Sequence, residues 1–332
     1  MRRLVDLVLA TPGVGGAARW LRRWAMLPGQ LRLIQANARA VALEVARGLE
    51  REASAPALPA AAPAGPPALT SRMCTQAQFL TAEFAHWRGR LKQDLLWHRK
   101  QWEFCFIAHA LWERDMLRSG RRGCGFGVGV EPLPALFASL GCRITATDAP
   151  AHVVAAGWRE TGQYAGTRDP LNAAGIASPE AFAANVEWRA VDMNHLPADL
   201  QGFDFVWSAC AMEHLGSIEQ AIAFLLGSCR CLKPGGVAVH TTEFNVSSDE
   251  ATLSRGPTVL LRRRDILEIA ERLGEVGCEL APVDFDPGAG VLDRFVAVPP
   301  YEYGVADAPM LKVALRGFVA TSLGLIVHKR RP

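Results

Sequence analysis

Apolar and polar positions along the second half of the chain follow two rhythms. Short apolar runs of strand type stand at 143–147 (RITAT), 186–191 (VEWRAV), 203–209 (FDFVWSA) and 236–244 (GVAVHTTEF). Between them lie segments with helical spacing, at 132–140, 151–158, 218–231 and 263–276. CELAPVDF (278–285) and GFVATSLGLIVHK (317–329) read as two more strands joined by a long loop. Strands alternating with helices predict an α/β fold with a doubly wound parallel sheet.

Upstream the rhythm is helical throughout. Over 75–118, Leu91, Leu95, His98, Trp102, Cys105, His109 and Trp112 recur at steps of four and three, one stripe of a helix. It is expected to pack on the following domain, with His98 and His109 as core histidines. Residues 30–50 are rich in Ala and Leu and predict another helix. Between these, 53–70 holds five prolines with Ala and Gly, a composition that builds no core and reads as a linker. The expected division is a basic helical arm (1–52), a linker (53–70) that separates it from the rest, a helical cap (71–120) and the main domain (121–332).

Composition narrows the function classes. Half of the 332 residues are hydrophobic and the net charge is +3, too small to imply a nucleic-acid partner. The start MRRLVDLVLATPGVGG resembles a secretion signal, but Asp6 interrupts its apolar stretch. No apolar run approaches about 18 residues, so a cytoplasmic protein is expected. The basic arm, with Trp20, Trp24, Leu21 and Leu27 beside Arg19, Arg22 and Arg23, suits a peripheral contact with the inner face of a membrane or self-association through residues 1–50. The eight cysteines show no paired CxxC spacing and are expected to be reduced, buried thiols.

The chemistry concentrates at GCGFGVGVEP, 123–132. Glycines at 123, 125, 127 and 129 allow positive φ and close approach of a ligand to the backbone. Asp148, ending the next strand, is placed to accept ribose hydroxyls at the ligand-binding edge of an open sheet. The dinucleotide pattern GxGxxG fits no register here, and no Gly-Lys-Ser/Thr follows. Hydride transfer and a phosphate loop are thereby disfavoured.

The motifs GFGVG (125–129), TATD (145–148), VDMNHLP (191–197), FDFVWSACAMEHL (203–215) and LKPGG (232–236) together resemble the class I S-adenosylmethionine-dependent methyltransferases. The resemblance covers roughly 122–329 and includes members acting on small molecules and bacterial polysaccharides. It implies a seven-stranded sheet whose last strand is antiparallel, and S-adenosyl-L-methionine as cofactor. Gly125, Gly127 and Gly129 would pass its methionine part, Asp148 would hold the ribose, and Asp192 and Met193 the adenine. Ser208 would border the sulfonium. The family's acid two residues before the first glycine is absent, the position being Arg121 or Gly123.

A hydroxyl acceptor needs its proton removed, and histidine has a suitable pKa. His214, after the fourth strand, is the candidate base, with Glu213 orienting it. His240, Glu243, Tyr301 and Tyr303 are candidates for acceptor binding. Some relatives hold magnesium at the Glu-His pair, but no further acidic cluster adjoins it in sequence, so no metal is expected. The reading is O-methylation of a small molecule or glycan. A silent cofactor-binding scaffold and a nucleic-acid methyltransferase remain alternatives. For the second, Arg88, Arg90, Lys92, Arg99 and Lys100 form a modest basic face.

Overall fold

The computed structural model describes residues 15–52, 67–153, 163–299, 301 and 308–331. In chain order the elements begin with α1 (Gly15–Glu52), β1 (Ser71–Met73), α2 (Ala82–Arg90) and α3 (Arg99–Glu113). They continue with β2 (Arg122–Gly125), α4 (Leu133–Ser139), β3 (Arg143–Asp148), α5 (Pro179–Asn185), β4 (Val186–Ala190) and β5 (Phe203–Ala209). Then come α6 (Ile218–Arg230), β6 (Leu232–Asn245), α7 (Arg263–Glu275), β7 (Cys278–Leu280) and β8 (Val283–Asp284). The last are α8 (Val291–Arg294), β9 (Val296–Ala297), β10 (Lys312–Leu315) and β11 (Phe318–Lys329).

The sheet is Rossmann-like, with β4, β3, β2, β5 and β6 parallel in that order and β11 antiparallel beside β6. Where one further strand is implied, three short ones share the outer edge of β11: β10, β1 and β7. Pro282 explains part of this, because it has no N–H to continue the ladder beyond β7.

Strand alternation sends side chains to two apolar layers. Phe205, Trp207, Val237, Val239 and Ile326 meet α3 and α4. Val206, Ala238, Leu323 and Leu325 meet α6 and α7. α3 is buried from Gln101 to Leu111 and lies on the sheet, where Gly324 has no Cβ to collide with the Phe106 ring.

Two expectations are corrected here. The continuous helix over 75–118 is broken: α2 stops at Arg90, Lys92 adopts φ +55°, and helix resumes only at Arg99. Gln101 holds the break, accepting from Leu96 N at 2.9 Å and donating to Asp94 O at 2.8 Å. His98 caps α3 by accepting from Lys100 N at 3.0 Å, and burial lowers its pKa to about 4. His109 accepts from Trp87 Nε1 at 3.2 Å within the core. Nor does the linker isolate the arm. Ala42 and Ala46 of α1 are buried, Gln35 donates to Val298 O at 2.6 Å, and Trp97 Nε1 donates to Glu50 Oε1 at 2.9 Å. Most of the predicted helix at 151–158 lies outside the described residues.

Candidate active site

The carboxyl ends of β2, β3, β5 and β6 converge on one edge of the sheet. β2 runs into a turn stitched to its neighbours: Phe126 N donates to Trp207 O at 2.9 Å and Val128 N to Thr147 O at 3.0 Å. Gly127 and Gly129 adopt φ of +59° and +50°, a region that favours glycine. A Cβ at Gly127 would lie 2.8 Å from Ala211 Cβ and 3.1 Å from Met193 Sδ, so three loops meet there. At Gly125 a Cβ would collide with the Trp207 indole, and packing alone accounts for glycine at that position.

Asp148 ends β3 and is buried. Its Oδ1 accepts from Ala149 N at 2.8 Å and its Oδ2 from Ala165 N at 3.1 Å, with Gly129 N–H a third backbone donor. Burial raises its pKa, and these donors offset part of that rise. A carboxylate has about four acceptor positions, so about one is left for a ribose hydroxyl. The Gln163 carbonyl leans on Gly129, which places 163–165 across the glycine turn. Asp192 stands one strand further on. Burial opposes its charge, yet His195 at 2.8 Å and Asn194 N at 2.9 Å hold it below the usual carboxylate range. A bare turn flanked by two strand-end acids fits a nucleoside cofactor.

Beyond β5, Cys210 adopts φ +48°, with its N–H directed to Thr241 O and Oγ1 at 3.1 and 3.0 Å. A short 3-10 turn, Met212–His214, follows. His214 Nδ1 lies 2.8 Å from Pro257 O and 3.2 Å from Thr258 Oγ1. The Pro257 carbonyl can only accept, so Nδ1 carries the hydrogen and Nε2 the lone pair. Burial lowers the His214 pKa below the ordinary histidine value. Its Nε2 lies 4.0 Å from Oε1 of Glu213, which is completely buried. Glu243 reaches the same cluster from β6 and is ion-paired with Arg99. Burial raises both glutamate pKa values, with the Glu103 charge adding to it at Glu213 and the Glu213 charge at Glu243.

Three expected positions are corrected. His240 is completely buried, with Nδ1 2.8 Å from Ser208 Oγ and Nε2 2.9 Å from Ser228 Oγ, and burial lowers its pKa to about 3. Three positions from Glu243 on one strand, it faces the opposite side of the sheet. The Ser208 hydroxyl is committed to His240, which leaves only its backbone at the cofactor edge. Tyr301 donates its hydroxyl to Ala314 O and packs beside Leu260 and Val313. Tyr303 lies outside the described residues.

Residues 121–240 match the family model of a methyltransferase domain. A search of curated proteins gave no match. Among solved structures, the chain is similar to a protein from Galdieria sulphuraria provisionally assigned as a sarcosine dimethylglycine methyltransferase. Identity is 15%, with 70% of this chain and 85% of that one covered, at a TM-score of 0.42. It is also similar to the magnesium protoporphyrin IX methyltransferase of Synechocystis, at 14% identity over 76% and 97% of the two chains, TM-score 0.40.

The matched segment meets residues that the sequence reading missed. Arg99 and Lys100, counted there with a basic face, turn inward: Lys100 Nζ donates to Ala209 O at 2.6 Å and pairs with Glu103 Oε2 at 3.1 Å. Burial works against both cations, and the carboxylates around them outweigh it. The available signal was Glu103, three and four positions further along the same helix. Glu131, two residues after Gly129, accepts from Trp207 Nε1 at 2.6 Å, and burial raises its pKa to about 8.

Proposed function

We propose that the protein is an S-adenosylmethionine-dependent methyltransferase that methylates a hydroxyl of a small molecule or glycan. The observation that carries this reading is the placement of Asp148 and His214 on one sheet edge, with the glycine turn of a matched methyltransferase domain between the strands that bear them. When bound, the cofactor supplies a methyl group on a positively charged sulfur, already activated for transfer. The protein then has to align an acceptor and remove a proton. Gly127, Gly129, Asp148, Asp192 and Met193 would hold the cofactor. The acceptor hydroxyl would give its proton to His214 Nε2, while Pro257 holds Nδ1–H in place. Glu213 and Glu243 would stabilise the imidazolium so formed.

No described helix is long and apolar enough to cross a membrane. Leu31, Ile34 and Val41 of α1 are nevertheless more than half exposed, which supports a peripheral membrane contact or self-association of this helix. The test of the main reading uses isotopically labelled S-adenosylmethionine with cell extract, and mass spectrometry of the product. A labelled methyl ether supports it. A labelled amine redirects it to nitrogen, and binding without any labelled product leaves the silent scaffold in its place.

A further inference from the structure

The acceptor edge holds a second constellation that needs no methyl donor. Cys210 Sγ and one carboxylate oxygen each of Glu213 and Glu243 lie within 4.8 Å of one another, and all three residues are buried. Glu213 Oε1 and Glu243 Oε2 have no hydrogen-bond partner among the described residues, although Glu213 is 0% and Glu243 6% exposed. Bare buried oxygens of this kind are costly unless something positive meets them. The opposite oxygens are already engaged, Glu213 Oε2 by Thr242 Oγ1 at 3.4 Å and Glu243 Oε1 by Arg99. A single ion is small enough to sit among these three buried groups.

We propose that Cys210, Glu213 and Glu243 bind a divalent cation of borderline-soft character, of the zinc or cobalt class. Charge balance favours it. Fully ionised, Glu103, Glu213 and Glu243 would set three negative charges against Arg99 and Lys100. A Cys210 thiolate makes four, and a divalent ion brings the sum to zero. The sulfur selects against magnesium and calcium, which take oxygen ligands. Zinc bonds of about 2.3 Å to sulfur and about 2.0–2.2 Å to oxygen require the three ligand atoms to close in by roughly 1 Å. On binding, the Cys210 thiol, and the Glu213 and Glu243 carboxyls where protonated, release their protons to solvent. Glu103, which accepts that thiol at 3.0 Å, keeps Ser322 Oγ at 2.5 Å.

The test reads metal uptake rather than turnover, so it stands or falls apart from methyl transfer. The full chain is stripped with chelator and titrated with cobalt(II). One equivalent should bind, with near-ultraviolet charge-transfer absorption from a thiolate, persisting in excess magnesium and displaced by zinc. Cys210→Ser should abolish that absorption. Glu243→Gln should weaken cobalt binding roughly tenfold or more. Cys105→Ser, at a buried thiol that donates to Phe84 O, should change neither. Zinc should also raise the Tm of the wild type and of Cys105→Ser but not of Cys210→Ser, a readout independent of the absorption. Absence of stoichiometric uptake, or absorption that survives Cys210→Ser, overturns the proposal.

Discussion

His214 holds its Nδ1 2.8 Å from the carbonyl oxygen of Pro257, and that contact decides which ring nitrogen can take a proton. His214→Ala is expected to lower turnover on the order of 10²–10⁴-fold, the usual worth of general acid–base catalysis. Cofactor affinity should stay unchanged. Burial lowers the His214 pKa, so the wild-type rate should be full at neutral pH and fall only below the ordinary imidazole value of about 6.5. A pH–rate profile of both proteins checks this. Full activity in the alanine variant would leave alignment alone as the source of catalysis.

Asp148→Asn removes a charge at the end of β3 while keeping the shape of the side chain. Affinity for S-adenosylmethionine and its demethylated product should fall by about 1.5–3 kcal/mol, the worth of hydrogen bonds to a charged group. NAD should bind neither protein. Calorimetry measures all three ligands, and equal affinity of wild type and variant would end the ribose assignment.

Glu131 supplies a pH dependence of stability. The unfolded chain releases its proton near the reference value of about 4.3, whereas the folded chain keeps it to about 8. A raised folded pKa gives stability that is fully present below the unfolded value and is lost as pH rises through the folded one. Between about pH 5 and pH 8 the wild type should therefore lose stability relative to Glu131→Gln, whose amide oxygen can still accept from Trp207. Urea unfolding across that range is the measurement, and parallel curves would contradict it.

The arm should divide into two parts. A chain beginning at residue 29 should keep the wild-type Tm and cofactor affinity and, with exposed Leu31, Ile34 and Val41 still present, keep part of its liposome binding or self-association, which a chain beginning at Ser71 should lose. A chain beginning at Ser71 should also melt lower, by about 2–4 °C for each kcal/mol lost. It lacks the buried Ala42 and Ala46 and the Glu50 bond to Trp97. Identical melting of the two shortened chains would show that the docked half of α1 contributes nothing.

Much of the sheet was legible because its strands bury both faces and its helices are amphipathic. β5 falls at Phe203–Ala209 as expected, and α6 and α7 end within one residue of theirs. β1 was invisible, since three residues carry no periodicity and their place depends on β11. The break between α2 and α3 was hidden because Leu91 is buried and Leu95 packs on the core from a loop, which imitates a helical stripe. At the site, strand-end acids could be read from local motifs. The pairing of Arg99 with Glu243 and the meeting of Cys210 with Glu243 could not, because these contacts join segments more than thirty residues apart.

β1 also sets a schedule. Ser71 Oγ accepts from Ile326 N, a partner 255 positions later, and Cys74 N donates to Ser322 O. During synthesis at about 5–20 residues per second, roughly 12–50 s separate the two segments. Within it, from the end of β6 at Asn245 to the start of β11 at Phe318, about 4–15 s at that rate, the edge of β6, nine register positions long, lacks the strand that will cover it. A nascent chain in this state offers a parallel sheet with one open side, a template for pairing with another chain. β11 is the element whose arrival, between β6 and the waiting β1, ends that exposure.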